Sequence, residues 1–226
     1  NAQVCESSSA VGIKTPLIKS AHYQTGELVV GETPKAMTRE DIQRYKNDLL
    51  KACHLAFDIA KFDFVELHGA HGYLLAQFLL DGVNQRDDEY GGSFENRFRL
   101  MGEVVGMLVE KYPGKIAIRI SPHEVPEQAY FDAHDSDPIG IYTYAFEQLK
   151  KFKDLAYILV TEPRMNRAYT GDCALDPGLN LPLTSAKIIK KAGFRETNTS
   201  TVLIGSGGFA PETAFEAVAS ASIPYD

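Results

Sequence analysis

Four short apolar runs, at 62–67, 115–120, 156–161 and 201–204, alternate with longer stretches of helical periodicity. No other feature constrains the fold as much. Runs this short, separated by amphipathic helices, build βαβ units and therefore a parallel sheet. The helical stretches carry their own signals. Thr38, followed three residues later by Asp41, forms the pattern of a capping box, and Glu40 and Asp41 suit the positive end of the helix dipole. Ile42, Tyr45, Leu49, Cys53, Ala56 and Ile59 then recur on one face, which predicts a helix ending near Lys61. Ser93 caps a second long helix, with Phe98, Met101, Val105 and Leu108 on its buried face and Tyr112-Pro113-Gly114 at its end. Shorter helices are predicted over 73–80, 139–152, 184–192 (stopped by Gly193) and 211–219, the last with Pro211 in its first turn.

Each predicted strand ends in polar residues: His68 and His71, then Arg119 and Ser121, then Glu162 and Arg164, then Ser206-Gly207-Gly208. In a (β/α)8 barrel such ends share one rim, where the active site lies. Only four repeats are visible. Residues 1–36 read as an irregular loop with at most one short strand, at 27–30, and do not hold four more repeats. The chain therefore reads as a single α/β domain, 1–226, comprising half to two-thirds of a TIM barrel and cut from something longer.

Composition narrows the partners. A formal charge of −7 and a pI near 5.4 disfavour nucleic acid. No apolar run approaches the roughly 20 residues that span a bilayer, and no signal peptide is visible. Cys5, Cys53 and Cys173 are odd in number and far apart, which fits neither a disulfide framework nor a zinc site and points to a reducing, cytoplasmic setting.

The chemistry-bearing residues each admit two readings. His68 and His71 offer paired imidazole N–H donors to a substrate oxygen on which charge develops, or one is a buried core histidine and the other faces solvent. A metal site is a third reading, but no further ligand stands at ligand-like spacing, so no metal is expected. Tyr73 is a proton donor or a packing residue at the start of a helical turn. Arg119 is the only charge in Ile116-Ala117-Ile118-Arg119-Ile120, so it either pairs with a core carboxylate or reaches an electron-rich cofactor. Gly205-Ser206-Gly207-Gly208 lies between a strand and a helix and is either a phosphate cradle or a tight turn. The charged stretch from Arg86 to Arg97 reads as structural, with ion pairs and caps locking a loop to the rim.

At this point the residues resemble a known family. His68-Gly-Ala-His71-Gly-Tyr73-Leu-Leu-Ala-Gln-Phe, followed by Asn84-Gln-Arg86-Asp-Asp88-Glu-Tyr-Gly-Gly-Ser-Phe-Glu-Asn96-Arg97, is similar to the signature of the old yellow enzymes. These are FMN-dependent ene-reductases built as (β/α)8 barrels. The likeness runs from about Ala36 to Ala219, and Glu162-Pro163-Arg164 is similar to the fungal and yeast branch. The resemblance implies that His68 and His71 bind the carbonyl or nitro oxygen of an activated alkene, and that Tyr73 protonates the alkene carbon. It sets Arg119 against the N1–C2=O edge of the flavin, with His68 also beside the cofactor. Ser206, Gly207 and Gly208 would hold the FMN phosphate. NADPH, or NADH, would reduce the flavin first. The family's threonine near the first strand, its glutamine on the third and its Gly-Arg pair after the eighth have no counterpart here. The expectation is thus an ene-reductase acting on α,β-unsaturated carbonyl or nitro compounds, possible as a homodimer. The alternative is a truncated, inactive barrel serving as a binding or scaffolding protein.

Overall fold

The computed structural model describes residues 5–12, 19–21, 28–30, 32–123, 133–163, 184–196, 200–219 and 225. Arg164 and Cys173 fall outside them; Cys5 is exposed and Cys53 buried, both as free thiols.

The described residues of the N-terminal region hold more strand than its sequence predicts. β1 (Glu6–Ser7) pairs in parallel with β4 (Lys35–Ala36), and between them β2 (Lys19–Ala21) pairs antiparallel with β3 (Leu28–Val30). The expected strand near 27–30 is present, but its partner Lys19-Ser20-Ala21 carries no apolar alternation. Backbone pairing decides that strand, and side-chain pattern does not reveal it.

α1 (Arg39–His54) begins with the capping box, in which Asp41 N donates to Thr38 Oγ1 and Thr38 N donates to Asp41 Oδ2. Lys35 and Arg44 also bind the Asp41 carboxylate, at 2.9 and 2.6 Å. The Thr38 amide first, then Lys35 and Arg44, hold this carboxyl well below the usual range. The helix continues through a π-helical turn, Leu55–Ile59, that seats Phe57 on the Tyr112 ring at 4.7 Å. Lys61 then takes a left-handed φ of 62° and the chain turns into the sheet.

The principal sheet contains β5 (Val65–His68), β6 (Ile116–Ile120), β7 (Leu155–Thr161) and β8 (Val202–Ser206). All are parallel, and their order across the sheet is their order in the chain. Each βα unit returns its strand beside the previous one. That is the progression of a barrel; a doubly wound sheet would reverse direction. α2 (Leu74–Leu79), α3 (Phe94–Lys111), α4 (Pro138–Leu149), α5 (Thr184–Lys191) and α6 (Pro211–Ala219) intervene or follow, close to the predicted spans.

The two faces of the sheet differ. Leu67, the isoleucines at 116, 118, 120 and 158, Val160 and Leu203 are buried in one core with Phe98, Met101, Val105, Leu108, Ile141 and Phe146 of α3 and α4. Of the alternate residues, which project from the concave face, Glu66, His68, Arg119, Tyr157, Leu159 and Ile204 stay at least partly accessible. The site is built on this second face.

Candidate active site

The C-terminal ends of β5 to β8 assemble the residues singled out in the sequence. His68 closes β5 directly opposite Arg119 of β6. The chain then turns sharply: Gly69 N donates to Arg119 O at 2.8 Å, and a Cβ on Gly69 would lie 2.9 Å from that same oxygen. Only glycine lets the turn lie this close to β6. His71 follows with a φ of 57°, unusual for a residue with a side chain, and its N–H donates to Ser121 Oγ at 2.9 Å. This bond to the residue just past β6 helps hold the left-handed turn.

The turn folds His71 and Tyr73 back over His68. The His68 ring centroid lies 5.1 Å from that of His71 and 5.1 Å from that of Tyr73. Three polar rings thus converge at one strand exit. Tyr73 is half exposed at 50%, so the cluster is open to solvent on its side. The His68 imidazole is pushed below its ordinary pKa, first by partial removal from water and then by the Arg119 charge, with Glu66 opposing. A neutral ring at pH 7 has one N–H to donate and one bare nitrogen.

Arg119 is half-buried, and its Nε donates to Thr161 Oγ1 at 3.0 Å. Among the described residues no carboxylate lies within ion-pair distance of it. Of the two readings open in the sequence, pairing with a core carboxylate is therefore absent among these residues. Thr161 also accepts from Ser206 Oγ at 3.2 Å, which links Arg119 to the exit of β8. There Gly207 and Gly208 adopt φ of 99° and 69°, and a Cβ on Gly207 would meet Glu162 O at 2.5 Å. Successive left-handed glycines turn main-chain N–H groups to one side, a concavity that accepts anions.

Ser121 and Thr161 are the residues that sequence reasoning passed over in assigning roles. Ser121 carried a signal, its place at a strand exit; Thr161 carried none. The stretch from Arg86 to Arg97 is structural, as expected. Arg86 grips Asp88 with two bonds of 2.9 and 2.6 Å and donates to Ser8 O and Met37 O, fastening the N-terminal segment. Among the described residues no cluster of His, Cys, Asp and Glu could hold a metal, and no helix is long and apolar enough to cross a membrane.

A family model described as the NADH:flavin oxidoreductase / NADH oxidase family matches residues 4–178. The chain belongs to this family. Its curated relatives include 12-oxophytodienoate reductase 2 of Arabidopsis thaliana, 36% identical over 187 residues, which cover 82% of this chain and 45% of the relative. Putative 12-oxophytodienoate reductase 4 of Oryza sativa is 41% identical over 138 residues, 61% of this chain and 35% of that one. Among solved structures, morphinone reductase superposes with a TM-score of 0.77 at 26% identity, covering 99% of this chain and 55% of its own. An old yellow enzyme homologue from Zymomonas mobilis gives 0.77 at 26% identity, covering 97% and 55%. The chain thus spans about half the length of the relatives it matches, and its (β/α) progression is part of a TIM barrel.

Proposed function

We propose that this chain carries the alkene-binding and much of the flavin-binding side of an FMN-dependent NAD(P)H oxidoreductase that reduces the C=C bond of α,β-unsaturated carbonyl or nitro compounds. One observation carries the reading: a His68–His71–Tyr73 cluster directly beside an arginine that no described carboxylate neutralises. The residues fit FMN. Arg119 would hold the electron-rich edge of the ring, His68 would lie beside it, and Ser206, Gly207 and Gly208 would receive the phosphate. When bound, FMN supplies the hydride.

The chain's own residues supply the rest. His68 and His71 donate N–H groups to the substrate oxygen and stabilise the negative charge that collects there as the β-carbon is reduced; each such donor is worth about 10²–10³ in rate. A neutral His68 suits a donor whose task is to stabilise an oxyanion in place, since it binds the oxygen without surrendering a proton to bulk water. The Tyr73 hydroxyl delivers the proton to the α-carbon. NADPH or NADH is the reductant, the substrate is a small molecule, and a cytoplasmic homodimer completes the proposal. The fungal and yeast affinity rests on Glu162-Pro163-Arg164 alone and belongs to the same proposal.

A second reading has one observation in its favour. Val202 and Ile204 of β8 are 40% and 37% exposed, two apolar side chains that suit a binding or scaffolding barrel. One experiment separates the two. The absorbance spectrum of the purified protein is recorded with added FMN, then anaerobically with NADPH or NADH, then with an α,β-unsaturated ketone. A protein-bound flavin band that bleaches and returns supports the oxidoreductase. Absence of any flavin binding leaves the scaffold reading standing.

A further inference from the structure

Glu162 lies just past β7, only 1% exposed, and takes no part in the chemistry above. Its carboxylate is the meeting point of three distant segments. Tyr225, beyond α6, donates its hydroxyl to Glu162 Oε1 at 2.6 Å. Ser185, in the first turn of α5, donates its hydroxyl to the same oxygen, lies within hydrogen-bond reach of the Tyr225 hydroxyl, and turns its backbone N–H toward Oε2 at 3.4 Å. All three residues are buried. A buried carboxyl group is expensive unless hydrogen-bonded, so the bonds from Tyr225 and Ser185 hold the three segments together.

The main chain of the same glutamate shapes the next strand exit. Glu162 N donates to Ser206 O at 2.8 Å, and Gly207 packs so closely on Glu162 O that no Cβ fits between them. The Tyr225 ring closes the other side, where a Cβ on Gly205 would lie 2.7 Å from it. The loop from Gly205 to Gly207 is thus clasped between the backbone of Glu162 and the ring of Tyr225, and one carboxylate joins the two.

We infer that Glu162, Ser185 and Tyr225 form a positioning node that holds the Ser206–Gly208 loop in the conformation that receives a phosphate monoester. The inference rests on the phosphate reading of that loop under the proposed function. The node touches no ligand; it acts through the loop's shape, so its effect is confined to ligands that carry the phosphate.

The test compares FMN with riboflavin, which lacks the phosphate, in binding titrations of the whole chain and its Tyr225→Phe variant. Amide hydrogen exchange is measured on both proteins without ligand. Tyr225→Phe keeps the ring against Gly205 and removes only the hydroxyl. The expected result is an FMN affinity weakened about tenfold with riboflavin affinity unchanged, and faster exchange at Gly207, Gly208 and Phe209 while α3 is unaffected. Equal losses for both flavins with exchange raised throughout the chain would overturn the inference, as would no change in either measurement. If the unaltered chain binds neither flavin, the flavin reading falls, and the exchange of the three loop amides alone decides whether the node holds the loop. Should Tyr225→Phe fail to fold, Ser185→Ala removes the other hydroxyl from the same carboxylate and the same outcomes apply.

Discussion

Two arginines leave the surface of this chain and meet opposite surroundings. Arg97, at 3% exposure, forms an ion pair with the fully buried Asp135 and donates to Leu79 O at 2.7 Å and Gly92 O at 3.1 Å. Asp135 in turn accepts from the amides of Asp81 and Asp137, at 3.0 and 2.9 Å. The cation is paired with a carboxylate and bonded to two carbonyls, and what it fixes is the path of two loops. Arg119 has one described hydroxyl partner and faces the open concave side. The difference separates a structural cation from an available one. A guanidinium engaged by a buried carboxylate and two carbonyls is committed to structure, whereas Arg119 meets, among the described residues, a single neutral hydroxyl and no carboxylate.

The largest expected effect is on the structural side. Arg97→Met strands a buried carboxylate and should cost about 3–5 kcal/mol in a denaturant titration. Arg119→Met should change stability by less than about 1 kcal/mol but weaken flavin binding about 10–100-fold. A destabilised Arg119→Met with unchanged flavin affinity would erase the distinction. Tyr73→Phe sharpens it within the site. Loss of a positioned general acid should lower the rate of alkene reduction about 10²–10⁴-fold, while anaerobic flavin reduction by NADPH keeps its rate. Slowing of both half-reactions would mean that Tyr73 packs the site and does not donate the proton.

The smallest effect lies outside the site. Asp41, held below the usual carboxylate range by Thr38, Lys35 and Arg44, stabilises the fold only while ionised. Its folded pKa is below its unfolded one, so the contribution is complete above the unfolded value of about 3.9. It is lost as pH falls through the folded value. Asp41→Asn should lower the melting temperature by a few degrees at pH 7, and the difference should close on acidification below the unfolded value. A difference that persists in strong acid would assign the effect to packing.

Much of this was legible beforehand because it is local. The Thr38–Asp41 box, the Ser93 cap, the Gly193 stop and the four apolar runs depend on neighbours a few residues away. The helix and strand spans therefore fall close to expectation. Two departures have physical causes. β5 starts at Val65, three residues later than the apolar run implies, because the pairing with β6 begins only there, where Val65 N donates to Lys115 O; Phe62 and Phe64 before it are exposed at 63% and 53%. β2 was hidden because its pairing with β3 is a backbone property.

The sequence alone determined the alternation of strands and helices, the polar character of each strand exit, and the family to which the motif around His68, His71 and Tyr73 points. Only the tertiary structure decided what each exit residue meets. Ser121 lies 50 positions from His71 and Thr161 lies 42 from Arg119, yet each is a direct partner. The same holds for Tyr225 and Glu162, 63 positions apart. Such contacts depend on strand register and on the closure of loops across the sheet, and neither leaves a periodic signal in the chain.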